Sequence, residues 1–301
     1  MSDNTSTPPT QWQQLRVSAP SRQIDDLADF LTAAGALAIT YVDRADDPIL
    51  EPDPGTTPLW QQTSVVALFA DTTELEPIVQ AMHTRLGASL FCEREILVDQ
   101  DWERACLRDF KPMRFGSNFW ICPSWDVVKD PAAVVVTLDP GLAFGTGTHP
   151  TTALCLEWLA THPPADKTVI DYGCGSGILA IAAARLGARH IYAVDHDPQA
   201  LQATRDNAIK NGVSSRISVI DTVAPNSPSV ELITANILLE PLIDLTETFY
   251  RNLQAQGRLI ISGILQSQID LIKQTYTPRF KIQSEQTMEN WACVEFLRGD
   301  G

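Results

Sequence analysis

The chain has 301 residues, 44% hydrophobic and 20% charged, which fits a soluble globular protein of one large or two ordinary domains. Its net charge of −15 repels phosphate backbones and so disfavours direct nucleic-acid binding, and no apolar run is long enough to span a bilayer. The opening MSDNTSTPPTQ has neither a basic nor an apolar leader, and the six cysteines, at 92, 106, 122, 155, 174 and 293, contain no Cys-x-x-Cys pair. They read as reduced thiols of a cytoplasmic protein without a zinc site and without a membrane role. The acidity is uneven: residues 1–100 hold 15 Asp/Glu against 5 Lys/Arg. Such a face attracts a basic partner or simply confers solubility.

Residues 1–10 read as a disordered tail. A strand is expected over Trp12–Ala19. A helix from Ser21 to Ala34 follows, with Ile24, Leu27, Phe30 and Leu31 on one face and Gly35 closing it. Strands are expected at Ala38–Val42 and Ser64–Phe69, on either side of a long Pro- and Asp-rich loop. A second helix spans Thr73–Leu86, capped by Thr72 or Thr73, and a fourth strand covers Ser89–Val98. This β-α-β-β-α-β order is the ferredoxin-like α+β pattern. Residues 11–100 are therefore assigned to a small recognition domain, in which His83 is an isolated surface histidine. Residues 101–130 read as a linker, with a short helix over 101–109. Its apolar Trp120, Ile121 and Trp125 form either a seam between domains or a wall of a cofactor pocket.

Residues 131–301 read as the second domain. After a strand at Ala133–Leu138 comes LDPGLAFGTGTHPTT, residues 138–152. Its glycines let the backbone fold closely around a ligand. Thr151 or Thr152 is expected to cap a helix over Ala153–Ala160, whose N-terminus suits a carboxylate. His149 reads as a structural hydrogen-bonder. Next, Thr168–Tyr172 is a buried strand, Ile178–Leu186 a helix and His190–Val194 a second strand. The turn between the first strand and the helix carries Gly173, Gly175 and Gly177, with Asp171 before it. Asp195 stands 22 positions after Gly173, where a carboxylate can accept hydrogen bonds from ribose hydroxyls. Cys174, inside the turn, reads as a small filler. The unit binds a nucleoside-type cofactor. Its D-x-G-x-G-x-G spacing resembles motif I of the class I S-adenosylmethionine methyltransferases; the alternative is a nicotinamide-binding Rossmann unit.

A helix over Pro198–Asn211 and a strand over Ile217–Ile220 continue the alternation. Asp221 or Thr222 then stands where this class holds the adenine amino group. A strand over Glu231–Ala235 places Asn236 at the carboxyl edge of the sheet, beside Gly173. A helix over Glu240–Ala255, a strand over Gly257–Ile264, a helix over Ser267–Tyr276 and an antiparallel pair, Arg279–Thr287 with Trp291–Leu297, complete the chain.

LDPGLAFGTGTHPTT, then VIDYGCGSGILAIAA, then TANILLEPL, together with MRFGSNFWICPSW upstream, resemble the ribosomal protein methyltransferase family, bacterial enzymes that methylate amino groups of large-subunit ribosomal protein L11. The match spans roughly residues 99–265. It implies an α/β fold, a Rossmann-like seven-stranded sheet with a terminal reversed hairpin, preceded by the ferredoxin-like domain. It further implies S-adenosyl-L-methionine as cofactor, held by Phe144, Gly145, Thr146, Thr152, Asp171, Gly173, Gly175, Asp195 and Asn236, with Asn236 also orienting the substrate amine. The implied partner is the ribosomal protein, acted on by a monomer at lysine side chains and the N-terminal α-amine. Asn236-Ile237-Leu238 departs from the N-P-P-Y loop of enzymes that methylate adenine or glutamine, which argues against those substrates. Two other readings stay open: a small-molecule or ribosomal RNA methyltransferase, and a binding protein with a vestigial cofactor unit.

Overall fold

A computed structural model describes residues 11–44, 59–60, 62–87, 90–98, 110–140, 147–223 and 229–299. The expected tail at 1–10, most of the loop between 43 and 62, and the short helix over 101–109 lie outside the described residues. Two compact units are present, residues 1–105 and 106–301.

In the first unit, β1 (Gln11–Ser18), α1 (Ile24–Ala33), β2 (Ala38–Asp43), β3 (Thr63–Ala70), α2 (Leu75–Leu86) and β4 (Phe91–Val98) form a sheet of order β2-β3-β1-β4. Its neighbouring strands pair antiparallel throughout, as in the ferredoxin-like pattern. Alternate residues of β1 and β3, Leu15, Val17, Val65, Ala67 and Phe69, meet Ile24, Leu27 and Leu31 of α1 in one core. One expectation fails: neither Thr72 nor Thr73 caps α2. The Thr73 amide is spent on the Ala70 carbonyl (3.1 Å), so the turn closes first and the helix starts after Glu74 without a side-chain cap.

The second unit opens with a three-stranded sheet, β5 (Met113–Phe115), β6 (Phe119–Cys122) and β7 (Val134–Thr137). The stretch read as a linker over 101–130 therefore contains two strands. Phe115, Phe119 and Ile121 bury into the same core as the first helices of this unit, and that burial is why the segment is ordered structure. Then come α3 (Pro150–Thr161), β8 (Thr168–Tyr172), α4 (Ile178–Arg185), β9 (His190–Val194), α5 (Pro198–Lys210), β10 (Ile217–Ile220) and β11 (Val230–Asn236). They are followed by α6 (Leu239–Asp244), α7 (Thr246–Asn252), β12 (Leu253–Leu265), α8 (Ile269–Tyr276), β13 (Phe280–Met288) and β14 (Trp291–Arg298).

The seven strands lie in the order β10-β9-β8-β11-β12-β14-β13. β8 to β12 pair parallel, whereas β14 runs antiparallel to both neighbours. Alternate strand residues serve opposite faces: Val169 and Leu232 join the core under α3, α4 and α5, while Ile170 and Ile233 join the core under α6, α7 and α8. Burial on both faces explains why these strands read as continuous apolar runs. The helix expected over Glu240–Ala255 is two helices meeting at Leu245, and it ends at Asn252. Leu253 is fully buried and pairs with Val230, so the chain enters β12 four residues before the expected start at Gly257. No helix among the described residues is long and apolar enough to cross a membrane.

Candidate cofactor and methyl-transfer site

The site lies at the carboxyl edge of β8, β9 and β11, where open parallel sheets bind ligands. The turn after β8 is held from below. Asp171 is buried (1% exposed) and spends both carboxylate oxygens inside the protein: Oδ2 accepts from the Ala180 amide (2.9 Å) and Oδ1 from the Thr234 hydroxyl (2.9 Å). Burial pushes its carboxyl up to about 7, although both hydrogen bonds favour the charged form. Asp171 thus ties β8 to α4 and β11, and the structure gives it the part of a brace for the turn.

Gly173 has φ +74°, and a Cβ on it would stand 2.2 Å from Ile237 Cγ2. The amides of Gly173 and Cys174 both donate to the Val194 carbonyl (2.8 and 3.0 Å), which docks the turn on β9. α5 clamps the turn from the far side: Thr204 Oγ1 donates to the Gly175 carbonyl (3.0 Å) and Asn207 Nδ2 to the Ser176 carbonyl (2.9 Å). These two residues were not among the sequence candidates; their helix was legible, but its partner across the turn was not. Cys174 is buried beside Thr204 Oγ1 (3.3 Å), and burial pushes its thiol up to about 12. A thiol held neutral is no nucleophile, which agrees with the filler reading.

Asp195 caps the end of β9. Its Oδ2 accepts from the Gly175 amide (3.0 Å) and its Oδ1 from the Asp197 amide (3.0 Å). A carboxylate offers about four acceptor positions. Two are used, which leaves two for a pair of vicinal ribose hydroxyls. Asp221 and Thr222 are exposed just after β10, the strand beside β9.

The second half of the site joins α3 to β11. His149 caps α3, where Thr151 or Thr152 was expected to do so: Pro150 occupies the first helical position, the Thr151 amide donates to His149 Nδ1 (3.4 Å), and the Thr151 hydroxyl lies 2.8 Å from the same atom. Burial lowers the pKa of His149, partly opposed by Glu289, and its ring meets Trp291 edge-on at 4.8 Å. One residue further on, Thr152 is fully buried and its Oγ1 accepts from Asn236 Nδ2 (3.2 Å). That bond leaves Asn236 Oδ1 buried with no hydrogen-bond partner. Among the described residues it is the only buried side-chain acceptor in that condition; the others are nitrogens. A buried unsatisfied acceptor costs about 1–3 kcal/mol, so its persistence at this edge marks a place for an incoming donor.

The structure therefore places Gly173 and Gly175 in one turn, with Asp171 bracing it from β8 and Asp195 bonded to it from the end of β9, and brings Thr152 and Asn236 into one contact, joined to the turn through Ile237. Phe144, Gly145 and Thr146 lie outside the described residues. A cavity of about 200 Å³ lined by Trp158, His162, Lys167, Glu231 and Arg258 lies at the opposite, amino edge of the sheet. It is smaller than the ~300–1,000 Å³ typical of small-molecule pockets, and no predicted site residue lines it. The glycine cradle, the two spare positions on Asp195 and the orphan acceptor fit a nucleoside cofactor carrying a group to be transferred to an N–H donor.

Comparison with known proteins agrees. Residues 11–298 match the family model described as ribosomal protein L11 methyltransferase. The chain is similar to the ribosomal protein L11 methyltransferase of Legionella pneumophila (strain Paris), at 46% identity over 95% of this chain and 99% of that protein. It is also similar to the protein of that name from Nitrosococcus oceani, at 48% identity over 94% and 98%. Among solved structures it resembles the ribosomal protein L11 methylase of Lactobacillus delbrueckii subsp. bulgaricus, with 33% identity, a TM-score of 0.59 and coverage of 63% of this chain and all of that one. A family model matching nearly the whole chain, with relatives at 46–48% identity over almost their full length, establishes that this chain belongs to the ribosomal protein L11 methyltransferase family.

Proposed function

We propose that this S-adenosylmethionine-dependent methyltransferase modifies ribosomal protein L11, at lysine side chains and at the N-terminal α-amine. The observation that carries this reading is the buried, unpartnered Asn236 Oδ1 at the end of β11, beside the Gly173 turn.

S-adenosylmethionine, when bound, supplies a methyl on a sulfonium with its leaving group already activated. What remains for the protein is positioning. Asp195 takes the ribose hydroxyls, and the Gly173–Gly175 turn presents its backbone to the ligand at the edge of the sheet. The acceptor amine must be neutral to attack. Free lysine has a pKa near 10.4 and an α-amine near 8, and a desolvated site lowers both by disfavouring the ammonium. Asn236 Oδ1 accepts one N–H and so directs the nitrogen lone pair, while Thr152 holds the amide plane. No dedicated general base is needed.

The acidic first unit, read here as the domain that grips the substrate, suits a basic ribosomal protein. The scattered cysteines, read as reduced thiols, favour work in the cytoplasm. The test is transfer of labelled methyl to purified L11 and, in parallel, to ribosomal RNA. The expected result is label on the protein alone, with kcat lowered roughly a hundredfold by Asn236→Ala and cofactor affinity lowered far less. Label on RNA alone, or an unchanged kcat in Asn236→Ala, overturns the reading.

A further inference from the structure

A β-bulge lies next to Asn236 in the sheet. β12 and β14 pair at Ile261 with Val294 and again at Ile264 with Ala292, so Ser262 and Gly263 together oppose Cys293 alone. Gly263 takes φ +84°, the left-handed conformation that glycine adopts most easily. In the parallel register, Ser262 is the partner of Asn236. The bulge therefore begins level with the residue that presents the orphan acceptor.

The bulge brings the β12 backbone under the loop that leaves β11. A Cβ at position 263 would stand 2.3 Å from the Ile237 carbonyl oxygen, 2.8 Å from its carbonyl carbon and 2.9 Å from its amide nitrogen. All three are backbone atoms, so no side-chain rotation relieves the contact. On its side-chain face, Ile237 is confined by Gly173, as described above. Ser262 is fully buried and its hydroxyl lies 2.9 Å from the Ala292 carbonyl and 3.2 Å from the Thr151 carbonyl, the residue beside Thr152. Two glycines, one in the turn after β8 and one in β12, thus bracket the residue that follows Asn236.

We infer that Gly263 is a positioning residue for methyl transfer: its missing side chain lets the Ile237 peptide settle on the β12 bulge, and that seating sets where Asn236 presents its acceptor to the substrate amine. The inference rests on the reading of Asn236 given above. Raising the closest contact from 2.3 Å to the roughly 3.0 Å that real Cβ contacts respect displaces the loop by about 0.7 Å. A misplacement near 1 Å costs on the order of a hundredfold in rate. The cofactor contacts on Asp195 and the glycine turn lie on other strands, so binding and rate should separate.

The experiment uses the full chain with S-adenosylhomocysteine as binding probe and L11 as acceptor. For Gly263→Ala, kcat is expected to fall roughly a hundredfold, with the dissociation constant of the probe and the KM for L11 within about threefold of wild type. Gly212→Ala is the control. Gly212 has φ +65° but nothing within 4 Å of an added Cβ, so it carries the backbone strain without the contact, and its kcat should stay. If Gly263→Ala does not fold, Ile237→Gly leaves the bulge intact but removes the side chain that holds the same peptide down against Gly173, and the loosened seat should lower kcat at least tenfold with probe affinity kept within about tenfold. Wild-type kcat in the folded Gly263→Ala protein or, where it fails to fold, in Ile237→Gly overturns the proposal. So does a parallel loss of kcat and probe affinity, which would mean that the whole edge collapses. Asn236→Ala, run beside them, separates the two ideas. If it costs nothing, the reading of Asn236 fails; if it is slow while Gly263→Ala is fast, only the role of Gly263 fails.

Discussion

The two edges of the seven-stranded sheet use the same strands in different ways. At the amino edge, Glu231 accepts from the Thr168 amide (2.9 Å) and faces Arg189 (3.8 Å), while Arg258 pairs with Glu295. Most of these groups are partly exposed and have a partner, which is ordinary housekeeping for strand ends. At the carboxyl edge, a carboxylate is buried at Asp171, an acceptor is left unpaired at Asn236, and two glycines hold left-handed backbone against Ile237. Each of these costs stability where it stands. Unfavourable local arrangements persist where function needs them, which supports the proposal that the edge that looks worse by stability alone carries the chemistry.

The contrast can be broken or sharpened by substitution. The largest effect is expected at Gly173→Ala, where the added Cβ meets a β-branched side chain at 2.2 Å and the backbone is held at φ +74°. Probe affinity and kcat should both fall by more than a hundredfold, and binding calorimetry with S-adenosylhomocysteine checks the first. Unchanged affinity would remove the turn from the cofactor site. Asp195→Ala comes next. It takes away charge-assisted hydrogen bonds of about 1.5–3 kcal/mol, so the dissociation constant of the probe should rise roughly tenfold to a hundredfold, read by the same titration.

Asp171 gives a test in pH. Folding raises its carboxyl from 3.8 to about 7, so between those values the folded protein binds the proton that the unfolded chain has released. Its contribution to stability is present in full below about pH 4 and is lost as the pH rises towards 7. Asp171→Asn stays neutral throughout. Urea unfolding of both proteins should show wild type losing roughly 2–3 kcal/mol relative to the variant between pH 5 and 7. Parallel stability curves would mean that the carboxylate is as well solvated folded as unfolded. The smallest effect belongs to the other edge: Glu231→Ala should cost about 1 kcal/mol by thermal melting and leave kcat within twofold. A loss of rate there would end the division between the edges.

Much of this was open to reading in the chain. The apolar runs at Thr168–Tyr172 and His190–Val194, the glycines at 173, 175 and 177, and Asp195 one strand later are local signals with local causes, and each element stands within a residue or two of its expected place. The first unit was equally legible, because its two helices and four strands alternate with clear punctuation. The misreadings have a common origin. The strands at Met113–Phe115 and Phe119–Cys122 looked like a linker because three or four residues carry too little periodicity; only burial against α3 and α4 orders them. The helix expected to run to Ala255 stops at Asn252 because Leu253 has a strand partner at Val230, 23 positions away in sequence.

Residue types in short windows settled the glycine turn, a carboxylate at Asp195 after the next strand and Asn236 at a strand end, since turn geometry and strand period depend on neighbours in the chain. Tertiary structure alone decided that Asp171 spends both oxygens on the scaffold, that Thr152 takes the Asn236 amide across 84 positions, and that Gly263 lies under Ile237. Those three facts depend on which atoms from different elements share a few ångströms of space, and spacing along the chain does not specify that.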